Sequence, residues 1–514
     1  MKRVILLTLL SILLFSCSPH IVLEGSESNL NLLNLQEEEE YQLNDKQYQS
    51  FIPLDEPNDK KLPNLIITVE QKGWNNETKE FENTLFDKEN YRLVESVLIK
   101  QSWYSPVANL WESDPFQPFL TAPKDIKKGE LSSEINKQYP TIINVKDIKA
   151  PLKGISLWGS HLGDKHYPLV QNIYLNLYEA IAHPLKDKDL QEYIKVLSSY
   201  KTNPQSFDVY WLGANGDMIF QRGVDTLFRR SNGSTKLFND TLKIIPQVDL
   251  MIGNLEGSVT LRSNRTTKSY NFKFPPFILG KLKSLGYDFL SVNNNHSYDY
   301  GELGFKDTLK YFKEAKMPTA GVGLTPEEAS KPWTFTKNGQ KINVITLGAF
   351  PQERNGFNGE KQASVTTSRA GILWNNALGI EAVKTAFSDP KDINILYFHG
   401  GREYQETPYK EQIKLYQQMI DYNADVVLGS HPHVIQGLQQ YKNGLIAYSL
   451  GNFIFPGMEE MKHGEESMIL VVGFLNGYPF YIEPLGVQIS GIPIKLDKTG
   501  SIVKRLNQLT KALK

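Results

Sequence analysis

The chain has 514 residues, enough for two or more domains with a core each. Hydrophobic residues make up 40% and charged residues 22%, the balance of a globular protein and not of a disordered or fibrous one. The formal net charge is -1, so no global basic field exists to draw in nucleic acid, and that partner class is excluded.

The N-terminus reads as a targeting segment. Lys2 and Arg3 give a positive start, residues 4–15 are apolar but too short to span a bilayer comfortably, and Ser16-Cys17 follow. Leu14-Phe15-Ser16-Cys17 resembles a lipobox, with Phe15 where a small or aliphatic residue is usual. Cys17 is the only cysteine, so no disulfide can form within one chain. On this reading residues 1–17 are a lipoprotein signal and Cys17 takes the lipid; the alternative is an ordinary secretory signal with an incidental cysteine. Residues 18–62 carry Glu37-Glu38-Glu39-Glu40 and several Asn and Ser, with Pro57 and then Pro63 at the end. Such a stretch buries little and reads as a flexible tether. No other run is long and apolar enough to cross a membrane.

Residues 63–204 are expected to form an N-terminal accessory domain of α+β type. Residues 65–69 read as a strand and 91–99 as either helix or strand. Residues 170–181 read as a helix, with Ile173, Leu177 and Ile181 at four-residue spacing. Trp74, Trp103, Trp111 and Trp158 suit core packing or, alternatively, a carbohydrate or peptide groove. His161, His166 and His183 show no ligand-like spacing and read as structural or solvated.

From residue 205 to 514 the pattern changes. Apolar strands alternate with amphipathic helices, which argues for βαβ units and a largely parallel sheet. Nearly every strand ends in polar residues. Residues 209–212 lead to Asp217, 248–252 to Glu256, and 289–292 to Asn293-Asn294-Asn295-His296. The helix over 277–285 stops at Gly286. The helix after Tyr300 buries Phe305, Leu309 and Phe312. The strand over 393–398 ends at His399, and a helix over 411–422 buries Ile413, Tyr416 and Ile420. The apolar run Val426-Val427-Leu428-Gly429 then opens into Ser430-His431-Pro432-His433, where the proline stiffens a loop carrying two imidazoles. Residues 352–367 read as a long loop. The tail reads as a hairpin, 468–475 with 480–482 about Asn476-Gly477, followed by a closing helix over 502–513. His463 reads as a surface residue.

Each polar cluster alone has an ordinary reading as a cap, an Asx turn or a solvated loop. Together, Asp217, Glu256, Asn295, His399, His431 and His433 follow separate strands, and a parallel sheet gathers strand ends at one edge. Carboxylate, amide oxygen and imidazole donors suit divalent Mn, Fe or Zn, and the absence of thiolates argues against a structural zinc site. Six donors are too many for one open catalytic ion, so two ions sharing a carboxylate fit better. His296, beside a donor, is the candidate for proton transfer.

The motifs GDMIF at 216–220, GNLEG at 253–257, NNNHSYDYGELG at 293–304, HGGREY at 399–404, GSHPHV at 429–434 and YSLGNFIF at 448–455 make the segment from about 210 to 455 similar to the capsule-synthesis CapA (poly-γ-glutamate) family, a branch of the calcineurin-like metallophosphoesterases. The resemblance implies an α/β fold of four layers, an αββα sandwich, with the six named residues as metal ligands and His296 as the catalytic group. It also implies that Asn254, Arg222, Asn294, Glu403 and Asn452 line the substrate site. The expected role is a lipid-anchored, phosphoesterase-like hydrolase facing outside the cytoplasm in the bacterial cell envelope. Its expected partners are envelope or capsule polymer or a phosphorylated precursor, and other capsule-synthesis proteins. The alternatives are a non-enzymatic export or anchoring factor, or a solute receptor built on residues 63–204. Two positions depart from the pattern. Ile219 stands where the wider superfamily has histidine, and His399-Gly400-Gly401 stands for HWG, which removes an aromatic wall from the pocket.

Overall fold

A computed structural model describes residues 209–513, except 338 and 476, and, earlier in the chain, 21–25, 49–51, 65–75, 80–83, 91–109, 133, 135, 142–148, 152–154 and most of 169–202. Cys17, Trp111, Trp158, His161, His166, His183 and Asn476 lie outside the described residues. No helix among the described residues is long and apolar enough to cross a membrane.

The chain divides into two compact units. The first comprises Met1–Ser105, Asp125–Lys146 and Ser160–Ser206; the second takes Pro106–Lys124, Asp147–Gly159 and Phe207–Lys514. In the first unit, strand Val170–Ala180 pairs antiparallel with Tyr91–Asn109 on one side and with Leu65–Asn75 on the other. Ile21–Gly25 runs parallel to Leu65–Asn75 and pairs with Gln49–Phe51, so two short strands occur within the stretch that reads as a tether. One helix, Asp187–Ser198, follows.

The helix expected over 170–181 is a strand. Ile173 and Leu177 satisfy a four-residue period and a two-residue period equally, and Leu175 between them is buried with both. Ile181 is exposed beyond the strand end. Polar partners fix its register: Tyr178 Oη donates to Glu70 (2.6 Å), Arg92 pairs with Glu179 (2.6 Å), and Ser96 donates to Asn176 (2.5 Å). Trp103 donates its indole N–H to Gln101 (3.1 Å).

The second unit carries the candidate site. Its elements are β1 (Val209–Met218), α1 (Val224–Arg229), α2 (Gly233–Phe238), β2 (Leu250–Leu255), α3 (Phe277–Ser284), β3 (Phe289–Ser291), α4 (Gly301–Ala315), β4 (Trp333–Lys337), β5 (Gln340–Ala349), α5 (Ala377–Ala386), β6 (Ile393–Gly400), α6 (Lys410–Asp421), β7 (Val426–Ser430), β8 (Leu438–Tyr441), β9 (Gly444–Ala447), β10 (Asn452–Ile454), β11 (Glu466–Leu475), β12 (Tyr478–Gln488) and α7 (Ser501–Lys511). One sheet runs β3-β2-β1-β11-β12, with β1 to β3 parallel and β11 and β12 antiparallel. The other runs β4-β5-β6-β7-β9-β8, parallel from β5 to β9. The expected loop over 352–367 contains one helical turn, Gly359–Gln362.

Alternation along the strands builds the layers. Tyr210, Leu212 and Ala214 of the first sheet meet Ile393, Ile395, Tyr397, Val426 and Leu428 of the second in one cluster between the sheets. The opposite face of the first sheet, with Met251, Leu290 and Ile469, packs on Phe228, Leu237, Ile278, Leu282 and Phe305 of α1 to α4. The opposite face of the second, with Leu347, Leu396, Phe398 and Val427, packs on Val383, Tyr416 and Met419 of α5 and α6. The order is helix, sheet, sheet, helix: the four-layer α/β sandwich.

Candidate metal centre

The site lies where both sheets present the carboxyl ends of their parallel strands. Asp217 is the next-to-last residue of β1 and His399 of β6, so both are held by strand hydrogen bonds and not by loops. Register sets Asp217 beside Asn254 of β2 and Asn452 of β10, and His399 beside Ser430 of β7. Two glycines allow this closeness. A Cβ on Gly216 would lie 1.8 Å from the Gly451 carbonyl oxygen, and one on Gly429 would lie 2.1 Å from that of Tyr448. Beyond β7 the chain adopts left-handed conformations at His431 (φ 97°) and His433 (φ 60°), on either side of Pro432. Non-glycine residues persist in that region only where their surroundings over-determine them. Here the His431 N–H donates to Asp217 Oδ2 (3.1 Å), which ties the turn to the first sheet.

The six expected ligands converge. Ligand atoms of Glu256, His399 and His431 lie within 4.8 Å of one another, as do those of Asp217, Glu256 and His433. Glu256 belongs to both sets. Asn295 Oδ1 lies 2.9 Å from His399 Nε2 and adds an oxygen to the first set. All six side chains are buried. Glu256 Oε1 faces His296 Nε2 at 3.8 Å and the Nε2 atoms of His399 and His433 at 3.9 Å each.

The donor set fits a cation. Neither oxygen of Glu256 accepts a hydrogen bond among the described residues, and His431 Nδ1 is likewise buried without a partner. Unpartnered buried carboxylate oxygens are costly unless an ion takes them up. The electrostatics of the site agree with this. Burial, then the charge of Asp217, pushes the Glu256 carboxyl well up from the ordinary range. Burial raises Asp217 as well, against the opposing pull of His433 and the hydrogen bonds it accepts. Burial and neighbouring imidazoles hold His399 and His431 well below the ordinary histidine value. The site therefore presents neutral imidazoles and carboxyls that shed protons when positive charge arrives.

The residues behind these donors fix their orientation. Asn452 Oδ1 lies 2.8 Å from His433 Nδ1, leaving Nε2 turned toward Glu256. Ser430 Oγ lies 2.9 Å from His399 Nδ1. Asn254 donates to Asp217 Oδ1 (2.7 Å) and accepts from Asn294 (3.1 Å), whose amide also donates to the Leu255 carbonyl (3.0 Å). Asn254, Asn294 and Asn452, expected to line a substrate site, are thus fully buried and occupied with the ligands and their strands. Arg222 and Glu403 are exposed. Arg222 donates to the Pro456 carbonyl and lies 5.9 Å from the Phe272 ring.

His296 stands beside the donors without joining either set. Its Nδ1 lies 2.7 Å from Asp299 Oδ2, and its ring packs on Phe272 at 4.3 Å. Asp299 is three residues on, within the NNNHSYD run, so its spacing was available in the sequence. Lys268 and Glu353, which reach Asp299 and Asn295 from polar loops, gave no periodic signal.

The departures from the family pattern have local explanations. Ile219 is fully buried in the apolar cluster of the first sheet, and its N–H donates to Ile454 (2.7 Å). A side chain at Gly400 would meet Phe398 at 2.9 Å and the Ala349 carbonyl oxygen at 3.0 Å. Phe350 supplies an aromatic wall instead, 5.9 Å from the His399 ring and 6.0 Å from that of His431, and Tyr404 lies 5.9 Å from His433. His463, which reads as a surface residue, is half-buried on Glu466 (2.8 Å).

Residues 212–457 match the family described as bacterial capsule synthesis protein PGA_cap. The capsule biosynthesis protein CapA of Bacillus anthracis is 32% identical over 248 residues, covering 47% of this chain and 58% of that protein. The PGA biosynthesis protein CapA of Bacillus subtilis (strain 168) is 30% identical over 258 residues, covering 50% of this chain and 66% of that protein. The chain thus spans less than two thirds of either relative. A solved structure described as a novel phosphatase from Mycoplasma pneumoniae is 12% identical, covers 56% of this chain and 94% of its own, and superposes with a TM-score of 0.33, too distant to bear on function. The family match and the six motifs fall on the same stretch, so residues 212–457, just under half of the chain, are similar to the bacterial capsule synthesis family.

Proposed function

We propose that this protein is a metal-dependent phosphoester hydrolase of the bacterial cell envelope. Its substrate would be a capsule or poly-γ-glutamate type polymer or a phosphorylated precursor, and its partners other capsule-synthesis proteins. A lipid on Cys17 would hold it to a membrane, facing outside the cytoplasm. The polymer assignment draws on the relatives, which are named for capsule and PGA biosynthesis. The observation that carries the chemistry is Glu256: a buried carboxylate with two unpartnered oxygens, shared by two donor sets.

Asp217, Glu256 and His433 would hold one divalent ion; Glu256, His399, His431 and Asn295 would hold a second. Mn, Fe and Zn all suit such mixed oxygen and imidazole donors. Bound there, a pair of cations supplies a water of lowered pKa and positive charge for the phosphoryl oxygens. The protein's part is to keep the donors dry, aligned and deprotonated. Asp299 takes one side of the His296 ring, so Nε2 is the atom left to exchange a proton with a leaving oxygen.

The test uses the full-length protein in detergent. Bound metal is measured, and hydrolysis of an aryl phosphate monoester and diester is compared between wild type and His296→Ala. The proposal expects bound metal and turnover that falls about 100-fold or more in the variant. Bound metal without His296-dependent turnover supports the second reading, a polymer export or anchoring factor. The buried Ile219 at a position where the superfamily has histidine favours that reading.

A further inference from the structure

Lys268 lies on the loop between Thr260 and Phe272, between the candidate ligands Glu256 and Asn295 in the sequence. Its side chain is only 3% exposed. A lysine ammonium is a compact charge with three donors, and burying it is costly unless each finds an acceptor. All three do here. The Nζ atom lies 2.6 Å from the Asn295 carbonyl oxygen, 2.9 Å from Asp299 Oδ1 and 2.7 Å from Glu353 Oε1. The Phe357 ring covers it at 4.4 Å.

Each acceptor holds a different part of the site. Asp299 meets His296 Nδ1 through its other oxygen, Oδ2, which also accepts the Phe272 N–H (2.6 Å). Glu353 Oε1 accepts the Asn295 side-chain N–H (3.4 Å), which turns Asn295 Oδ1 toward His399. The third contact pins the backbone between these two residues. One cation therefore fixes both the ring that faces Glu256 and the amide oxygen that joins the donor set.

We propose that Lys268, acting with Glu353, is a positioning residue that sets the orientation of Asn295 and His296 together. The inference rests on the metallohydrolase reading for its consequence, though not for its geometry. Without the ammonium, Asp299 and Glu353 are two carboxylates facing one buried turn, and their repulsion lets that turn and the 352–358 loop part. Outer partners of this kind change metal affinity or activity by about 10-fold to 100-fold when removed.

Lys268→Met, Lys268→Arg and Glu353→Gln are made in the full-length protein. Three quantities are measured: kcat and KM on an aryl phosphate, Mn2+ affinity by titration calorimetry, and hydrogen exchange of the 293–300 segment in the metal-free protein. Lys268→Met is expected to lower kcat about 10-fold to 100-fold with KM little changed, and to speed exchange at 293–300. Glu353→Gln is expected to weaken Mn2+ binding about 10-fold while sparing more of kcat, and Lys268→Arg to recover most of the loss. A folded Lys268→Met protein with wild-type kcat, Mn2+ affinity and exchange overturns the inference. If the wild type itself neither binds Mn2+ nor turns over, the metallohydrolase reading fails, and exchange alone decides: unchanged exchange at 293–300 in Lys268→Met still overturns the positioning role, and faster exchange supports it.

Discussion

Glu256 concentrates the tension in this site. A carboxyl group fully buried, with neither oxygen partnered among the described residues, destabilises the metal-free fold. Glu256→Met fills similar volume without a polar group. It is expected to raise the stability of the chelator-treated protein by about 1–3 kcal/mol in urea denaturation and to remove metal binding. A metal-free protein weakened by this change would mean that Glu256 has a partner. The pH response follows from the same groups. Glu256 holds its proton above the ordinary 4.5, so the native metal-free state binds that proton more tightly than the unfolded chain. Its contribution to stability therefore declines as pH rises from 4.5 toward the raised value. His399 and His431 sit below 6.5, so theirs is present above 6.5 and is lost as pH falls through the window beneath it. A cation needs an ionised Glu256 and neutral imidazoles. The gain in melting temperature on adding Mn2+ is thus expected to be larger at about pH 8 than at about pH 5, read by scanning fluorimetry; a gain independent of pH contradicts the assignment. The sequence made these residues legible because each closes an apolar run. Asn254, Asn294 and Asn452 were legible as members of the site but not as its inner supports, since spacing does not say which way an amide turns.

At the scale of elements, the strand ends do the positioning. Gly429 lets β7 run against the Tyr448 carbonyl, and Gly429→Ala puts a methyl 2.1 Å from that oxygen. The expected cost is about 1–3 kcal/mol of stability, with lowered metal affinity because His431 and His433 follow directly. Chemical denaturation and calorimetry check both; an unchanged midpoint would mean that β7 and the chain at Tyr448 are not so close. Leu428→Ala, one residue away, points into the cluster between the sheets and is expected to cost about 2–5 kcal/mol. Strands and helices after residue 205 were readable because period and length agreed, as at α4, where Phe305 and Phe312 are buried as their spacing requires. The strand Val170–Ala180 was not, because its apolar residues fit both periods, and pairing with strands about 80 and 110 residues away decided the outcome.

For the whole molecule, chemistry and address are separable. The site belongs to the unit that includes residues 207–514, and the family match lies inside it. Residues 63–204 carry no motif, so their strands were only partly readable and their role was not. Cys17→Ser is expected to move the protein from the membrane fraction to the soluble periplasmic or extracellular fraction while leaving aryl phosphate turnover unchanged. Retention in the membrane fraction would contradict the lipid anchor. On the proposed reading, Glu256 is shared between two bound cations. Metal stoichiometry by elemental analysis of the full-length protein, loaded with Mn2+ and freed of excess, tests it most directly. Two ions per chain are expected in the wild type, and loss of both in Glu256→Ala. A wild type that retains no metal, or a Glu256→Ala protein that retains as much as wild type, would contradict it.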